Sequence, residues 1–425
     1  MPSVAANGGR PASISLHGRT YALPTRPTVV VCVDGFDPTY LQCGIEDNII
    51  PTLASFVKDG FSATAKSAMP SLTNPNNLSI ITGASTAVHG VSGNYYLDTD
   101  TGKEIMVTDA SLLTGSTILA ELAKAGVRVA AVTAKDKLRR ILCAGLLPEK
   151  DESICFSAQN AREATFSEHG IRCVEEWLMK PQPEQYSGDL SLFVLDVGVK
   201  LLEEKRSDLF YLTLSDYIQH HHAPRSKESD EFMKAVDDRL GKLVSLGAVV
   251  AVTGDHGMND KCHADGSPNV LFLEDALHER WPECGARVIC PIADPFVKHH
   301  GALGGFVRVH FLKNKPDETK LKEMLEYIRG IPQVEVAYTG NEAATTFATP
   351  PEREGDLVVV SSKNAVIGSR SSEHDLTMMK THRLRSHGGL SEQEIPILKN
   401  EPLRGKTKED GWRNFDVFDV ALNHF

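Results

Sequence analysis

Continuous apolar runs alternate along this chain with longer stretches whose apolar residues recur at helical spacing. Thr28-Val-Val-Val-Cys-Val33 is a run of the kind found in strands buried on both faces, and it stops at Asp34-Gly35. Val127-Arg-Val-Ala-Ala-Val132, Leu209-Phe-Tyr-Leu-Thr-Leu214 and Ala248-Val-Val-Ala-Val-Thr253 predict further strands of the same type. Helices are predicted between them. Pro51 to Gly60 and Ser116 to Gly126 each end on a glycine that can close a helix. From Glu228 to Leu246, Phe232, Met233, Val236, Leu240 and Leu243 fall on one face. Strands alternating with helices predict an α/β fold, with a parallel sheet covered on both sides.

The pattern changes after about Cys262. Phe306-Val-Arg-Val-His-Phe311 alternates as a half-buried strand should, and Gln333-Val-Glu-Val-Ala-Tyr338 alternates again. Between them, Pro316 to Gly330 reads as a charged amphipathic helix opening on proline. Asp356-Leu-Val-Val-Val360 adds a strand, so residues 262–380 read as a small α+β module. No internal repeat is present.

With 425 residues the chain exceeds the size of a single growing core, which agrees with a second, smaller module. Lys and Arg number 45 against 56 Asp and Glu, and a net charge of −11 argues against nucleic acid as a partner. No apolar run approaches the roughly 20 residues that span a bilayer. Met1 to Thr28 lacks the compact apolar region of a secretory signal, so a soluble, cytoplasmic protein is expected. None of the eight cysteines forms a CxxC pair; neither a disulfide framework nor a thiolate metal site is expected, and Cys32 reads as a core residue.

Ligands of open α/β sheets bind beyond the carboxyl ends of the strands. Asp34 follows the first predicted strand, Lys135 and Lys137 the second, Asp216 and His220 the third, and Asp255-His256-Gly257 the fourth. Mixed carboxylate and imidazole donors suit zinc, with manganese or iron next. Each element has an ordinary alternative. Asp34 can cap a turn. Asp216 and His220, spaced i,i+4, can be a surface pair, and His221 and His222 compete with His220. Thr73, at the entry to a helix, can be its N-cap. Beside a divalent ion, however, the Thr73 hydroxyl becomes a candidate nucleophile. In extended backbone Lys135 and Lys137 would point to one side, though two solvated lysines are the common case.

Val31-Cys-Val-Asp34-Gly, Pro70-Ser-Leu-Thr73-Asn, Gly93-Asn94-Tyr, Asp216-Tyr-Ile-Gln-His220, Thr253-Gly-Asp255-His256-Gly-Met and Ser386-His387-Gly-Gly together resemble the alkaline phosphatase superfamily. The likeness is best to its nucleotide pyrophosphatase/phosphodiesterase-like branch. It implies an alkaline phosphatase-like core, with a mainly parallel sheet flanked by helices, over residues 28–261 and 381–425. Residues 262–380 would then be an inserted α+β cap, and residues 1–27 a flexible N-terminal segment. Two zinc ions are implied, with Mn2+ or Fe2+ as substitutes. Asp34, Asp255, His256 and the Thr73 oxygen would hold one, and Asp216, His220 and His387 the other. The following Gly-Gly favours His387 over His382.

Val132-Thr-Ala-Lys135-Asp-Lys137-Leu-Arg resembles, more narrowly, the phosphonoacetate hydrolase family, which uses two lysines so spaced for the substrate carboxylate. That resemblance implies hydrolysis of the carbon–phosphorus bond of phosphonoacetate through a phosphothreonine on Thr73. Asn94 would donate to a phosphoryl oxygen, and Lys135 and Lys137 would stabilise negative charge on the departing acetate. A phosphodiesterase or nucleotide pyrophosphatase with the same metals is the alternative; it needs a base-stacking platform, for which Tyr95-Tyr96 is the best candidate. A phosphomutase would call on a serine such as Ser71. The expected partner is a small molecule, without nucleic acid or membrane, and a homodimer is compatible with the sequence. His299, His300, Arg308 and the Asp260–His263 stretch carry no assigned role.

Overall fold

A computed structural model describes residues 11–294, 300–312, 315–377, 382–405 and 409–424. The chain opens with a hairpin of β1 (Ser13–Leu16) and β2 (Arg19–Ala22). The segment expected to be flexible is thus ordered over this stretch, while residues 1–10 lie outside the described residues. The physical reason is a short alternation: Ile14 and Tyr21 pair across the hairpin, and both enter the core beside Ile118 and Leu119.

The predicted apolar runs form the centre of the main sheet. They are β3 (Thr28–Val33), β5 (Val129–Thr133), β7 (Leu209–Thr213) and β8 (Val249–Gly254), joined by β4 (Phe61–Lys66), β6 (Ile154–Ser157) and a final strand, Glu394–Lys399. From β8 the order runs β3, β7, β5, β6, all parallel. On the other side of β8, the Glu394–Lys399 strand and then β4 add antiparallel. The sheet is therefore mainly parallel, as expected. Its central strands are apolar throughout because both faces are covered: Val29, Val31 and Val33 enter one core cluster, and Val30 and Cys32 the other. The Lys227–Ser245 helix covers one face through the five apolar residues read from the sequence.

A second sheet is wholly antiparallel, with strand order β9 (Ala286–Ile289), β10 (Phe306–Phe311), β12 (Leu357–Ser361) and β11 (Val334–Thr339). Here β10 departs from expectation. All six of its residues are buried rather than alternate ones, because the sheet is covered on both sides. Val307 and Val309 pack with Met324, Leu325 and Ile328 of the Glu318–Arg329 helix, and Phe306 packs with Phe347 of the Gly340–Phe347 helix. Arg308 tolerates this burial because Glu354 accepts from its Nε at 2.7 Å and from its Nη2 at 2.9 Å. The Glu318–Arg329 helix opens on Asp317, whose side chain accepts from the Lys320 N–H, so Pro316 precedes the cap.

A further difference concerns the cysteines. Cys143 ends the Asp136–Leu142 helix, and Cys155 lies in β6 on the neighbouring strand. The two are joined as a disulfide with Cα atoms 6.2 Å apart, a proximity that only the β5–β6 crossover creates. No helix among the described residues is long and apolar enough to cross a membrane.

Candidate active site

Four neighbouring parallel strands end at the same edge, which sets the groups that follow them in a row. Asp255 and His256 follow β8, Asp34 follows β3, Asp216 stands three residues beyond β7, and Lys135 two beyond β5. All four acidic and imidazole positions are buried, as are His220 and His387. Asp216 N-caps the short Tyr217–His221 helix, and the i,i+4 spacing brings His220 Nε2 within 2.9 Å of Asp216 Oδ2. His387 follows the short Arg385–Ser386 strand, its Nε2 3.8 Å from the same oxygen. Gly388 (φ +114°) and Gly305 allow this approach: a Cβ on Gly305 would stand 2.5 Å from the Gly389 nitrogen.

Among the described residues, two groups of donors converge closely enough to hold a metal: Asp216, His220 and His387, and Asp34, Asp216 and His256. Asp216 reaches both. Asp255 was expected beside Asp34; its oxygens accept from the N–H groups of Gly35 and His256 and from Asn77 Nδ2, with Oδ2 3.8 Å from His256 Nε2. The rivals fall elsewhere. His221 packs at a tilt against Tyr217 and His382, and His222 lies beside Glu228.

All three clustered imidazoles are oriented in the same way. The Nδ1 atoms of His256, His220 and His387 stand 2.9, 2.8 and 2.9 Å from the carbonyls of Gly257, Arg385 and Ser71, so each Nε2 faces the carboxylates. Nδ1–H held by a carbonyl leaves Nε2 free as a ligand, the usual outer support of a metal-binding histidine. Asp34 Oδ1 is buried with no aligned hydrogen-bond donor, though His256 Nε2 is 3.2 Å away. Both observations fit a divalent cation between these groups.

The charges are correspondingly displaced. Burial, and then the charges of Asp216 and Asp255, push the Asp34 carboxyl up to about 8. Burial also raises Asp255. For His256, burial works downwards but is outweighed by Asp255 and Asp34, which raise it to about 10. The ring of His387 lies parallel to that of His256, with centroids 3.5 Å apart. Burial, reinforced by the His256 and His220 charges, holds His387 well below the usual range.

Asp34, Asp216 and His387 open onto a cleft lined also by Thr73, Asn74, Asn94, Lys135, Lys137, Ile292, Asp294 and His300. Thr73 is the first residue of the Thr73–Thr82 helix and does not cap it; Leu72 holds that place without a side-chain bond. The Thr73 hydroxyl instead lies 3.3 Å from His256 Nε2. Ser71 is unlike it, since its hydroxyl donates to the Gly389 carbonyl.

Lys135 and Lys137 both reach the cleft, but not along one extended segment. Lys135 is the extended N-cap of the Asp136–Leu142 helix, and Lys137 lies in that helix's first turn. Lys135 Nζ donates to Asp216 Oδ1 at 3.3 Å; burial disfavours its charge, but Asp216 and Asp34 outweigh it and raise its pKa. Burial and the Lys135 charge lower Lys137 to about 7, whereas the Asp294 carboxylate in contact with its Nζ favours the ammonium form. We read Lys137 as charged, because the contact is direct.

Asn94 lines the cleft with Oδ1 accepting from the Asn74 N–H and Nδ2 donating to the Ile292 carbonyl. Of the residues left unassigned, His300 enters the site and stacks on His220, with centroids 5.1 Å apart. Arg308 instead pairs with Glu354 and donates to Ser92, and His299 lies outside the described residues. Asp294 carried no sequence signal, and Asn74 entered only as the last residue of the Pro70-Ser-Leu-Thr73-Asn motif. Neither Tyr95 nor Tyr96 lines the cleft, and no Phe, Tyr or Trp does among the described residues.

A model of the type I phosphodiesterase / nucleotide pyrophosphatase family matches residues 28–390. Among solved structures, the chain is similar to the phosphonoacetate hydrolase of Sinorhizobium meliloti 1021. In complex with phosphonoformate that protein superposes with a TM-score of 0.91 at 44% identity, over 96% of this chain and 98% of that one. Its complex with phosphonoacetate gives 0.91 at 43% identity over the same shares. A phosphonoacetate hydrolase of Penicillium oxalicum is 53% identical over 38 residues, 8% of this chain and 53% of that relative. The chain thus spans about half the length of the curated relative it matches.

Proposed function

The chain belongs to the type I phosphodiesterase / nucleotide pyrophosphatase family, with an alkaline phosphatase-like fold; from that premise we propose that it hydrolyses phosphonoacetate to acetate and phosphate. The observation that carries this reading is the pair of ammonium groups, Lys135 and Lys137, in one cleft with the Thr73 hydroxyl and the clustered carboxylates and imidazoles. Similarity to an enzyme solved with phosphonoacetate bound supports it.

Asp216, His220 and His387 would hold one divalent ion, and Asp34, Asp255, His256 and the Thr73 oxygen the other, zinc in our reading. When bound, such ions supply Lewis acidity and lower the pKa of a nearby hydroxyl or water. Thr73 Oγ1 gives up its proton to solvent and attacks phosphorus, the carbon–phosphorus bond breaks, and its electron pair passes to the methylene carbon. An unstabilised carbanion is a very poor leaving group. Here the adjacent carboxylate spreads the charge as an enediolate-like species, and Lys135 and Lys137 stabilise it where it develops. Protonation at carbon yields acetate. Asn94 donates to a phosphoryl oxygen, and water then hydrolyses the phosphothreonine, releasing phosphate and restoring the Thr73 hydroxyl.

A phosphodiesterase reading uses the same metals and the same threonine, but no Phe, Tyr or Trp among the described residues lines the cleft to stack a base. The test is phosphate release from phosphonoacetate by the zinc-loaded protein, with methylphosphonate and an aryl phosphodiester alongside. Release from phosphonoacetate alone is expected. Turnover of the diester without phosphonoacetate would overturn the proposal and return both lysines to a solvating role.

A further inference from the structure

Three asparagines lie in the first turns of the helix that begins at Thr73, and two have their side chains fully engaged. Asn76 Oδ1 accepts from the Ala68 N–H, and its Nδ2 donates to the carbonyls of Ala68, Pro70 and Leu72. Asn77 Nδ2 donates to the Thr73 carbonyl and to Asp255 Oδ2, while its Oδ1 accepts from the Tyr211 hydroxyl. Asn74 differs. It is 1% exposed and lines the cleft, and its Nδ2 is buried with no hydrogen-bond partner among the described residues. An unpaired buried donor is costly and rare in a native fold, and at a cleft it points to a bound acceptor. The Asn74 backbone N–H also donates to Asn94 Oδ1 at 3.3 Å, which ties the Asn94 carboxamide to the start of this helix at the cleft. Asn74 adjoins Thr73 in the chain, at the positive end of the helix, where an anionic oxygen is favoured.

We propose that the Asn74 carboxamide is a catalytic residue that donates a hydrogen bond from Nδ2 to an oxygen of the phosphoryl group, as a second donor beside Asn94. The inference rests on the phosphonoacetate reading and adds the group that receives the phosphoryl oxygens. No proton moves in this contact; the bond strengthens as negative charge builds on oxygen.

The test uses zinc-loaded full-length protein with Asn74→Ala and Asn74→Asp, assayed for turnover of phosphonoacetate, inhibition by inorganic phosphate, zinc content and Tm. Removal of one such donor lowers kcat by on the order of 10²-fold. Asn74→Ala should show that loss and weaker phosphate inhibition, with zinc content kept and Tm equal or higher, since an unpaired buried group has been removed. Asn74→Asp keeps the shape but presents a carboxylate to the phosphoryl oxygens, so it should lose more. A purely structural asparagine would give the reverse: a lower Tm with kcat and phosphate inhibition unchanged, which would overturn the inference. Wild-type protein that neither turns over phosphonoacetate nor is inhibited by phosphate would overturn the functional reading itself, and this inference with it. A wild type active on phosphonoacetate, with variants equal to it, would overturn the Asn74 assignment alone.

Discussion

Replacing Lys137 by Met tests the part of the site that separates phosphonoacetate from other phosphoryl compounds. The side chain is 10% exposed and comes from the first turn of the Asp136–Leu142 helix, so methionine fills the same space without the charge. An ammonium and a carboxylate about 4 Å apart interact by about 4 kcal/mol at an effective dielectric near 20. At 1.36 kcal/mol per decade that sets an upper figure of about 10³-fold on kcat/KM. Water in the open cleft screens part of it, so a loss of about 10²-fold is the working expectation for phosphonoacetate. An aryl phosphate monoester, which has no carboxylate, should lose only a few-fold. Asp294 refines the experiment. It contacts Lys137 Nζ, and in Lys137→Met its carboxylate confronts the substrate carboxylate without the intervening cation. Adding Asp294→Asn should therefore recover part of the loss on phosphonoacetate and none on the ester. That non-additivity is what residues in contact show. Equal losses on both substrates, or no recovery in the double variant, would refute the assignment of Lys137 to the carboxylate.

Three further outcomes follow from the same geometry. Thr73→Ala should abolish turnover and phosphothreonine labelling while zinc content, measured by atomic absorption, stays nearly intact; loss of metal together with activity would make Thr73 chiefly a ligand. In metal-free protein above about pH 6.5, where the lowered His387 is neutral in both states, the raised Asp34 and His256 pKa values, about 8 and about 10, mean that these groups hold more protons in the folded state than in the unfolded one. Stability of the metal-free protein should then fall as pH rises through that window, and zinc binding near neutral pH should release protons. Calorimetric heats that do not vary with the ionisation enthalpy of the buffer would contradict this. Finally, Lys261 and Glu392 are both fully buried and paired at 2.8 Å, beside the turn carrying His387. Lys261→Met should destabilise by about 3–5 kcal/mol in urea unfolding, and Glu392→Leu in that background should restore much of it; a loss under about 1 kcal/mol would mean that the pair is not strongly coupled.

Much of this molecule is legible along the chain, for reasons that are local. A strand buried on both faces must be apolar at every position, so β3, β7 and β8 stand out from their flanks. Residues just past such strands lie at one edge of a parallel sheet, so Asp34, Lys135, Asp216 and Asp255 could be named as a set before their distances were known. The i,i+4 spacing of Asp216 and His220 belongs to the same class of signal, since one helical turn is enough to create it. Motif order along the chain carried the family.

Tertiary structure decided whatever depends on what covers an element. Strand β10 carries an alternating pattern, yet it is buried throughout because a helix lies on each face of its sheet and Glu354 neutralises Arg308. Ile14 and Tyr21 are unremarkable in a stretch rich in small and polar residues until the hairpin carries both into the core. That the Nε2 atoms of His220 and His387 stand at Asp216, while His221 lies against Tyr217 and His382 and His222 beside Glu228, depends on how distant segments pack together. Asp294 and Asn74 reach the cleft through folding alone: one comes from the second sheet's side, and the other differs from Asn76 and Asn77 only in what its amide fails to touch. Local spacing could nominate the donors, because periodicity and strand ends are properties of short segments. Only the packed fold could say which donors face one point in space, because that depends on contacts between segments hundreds of residues apart.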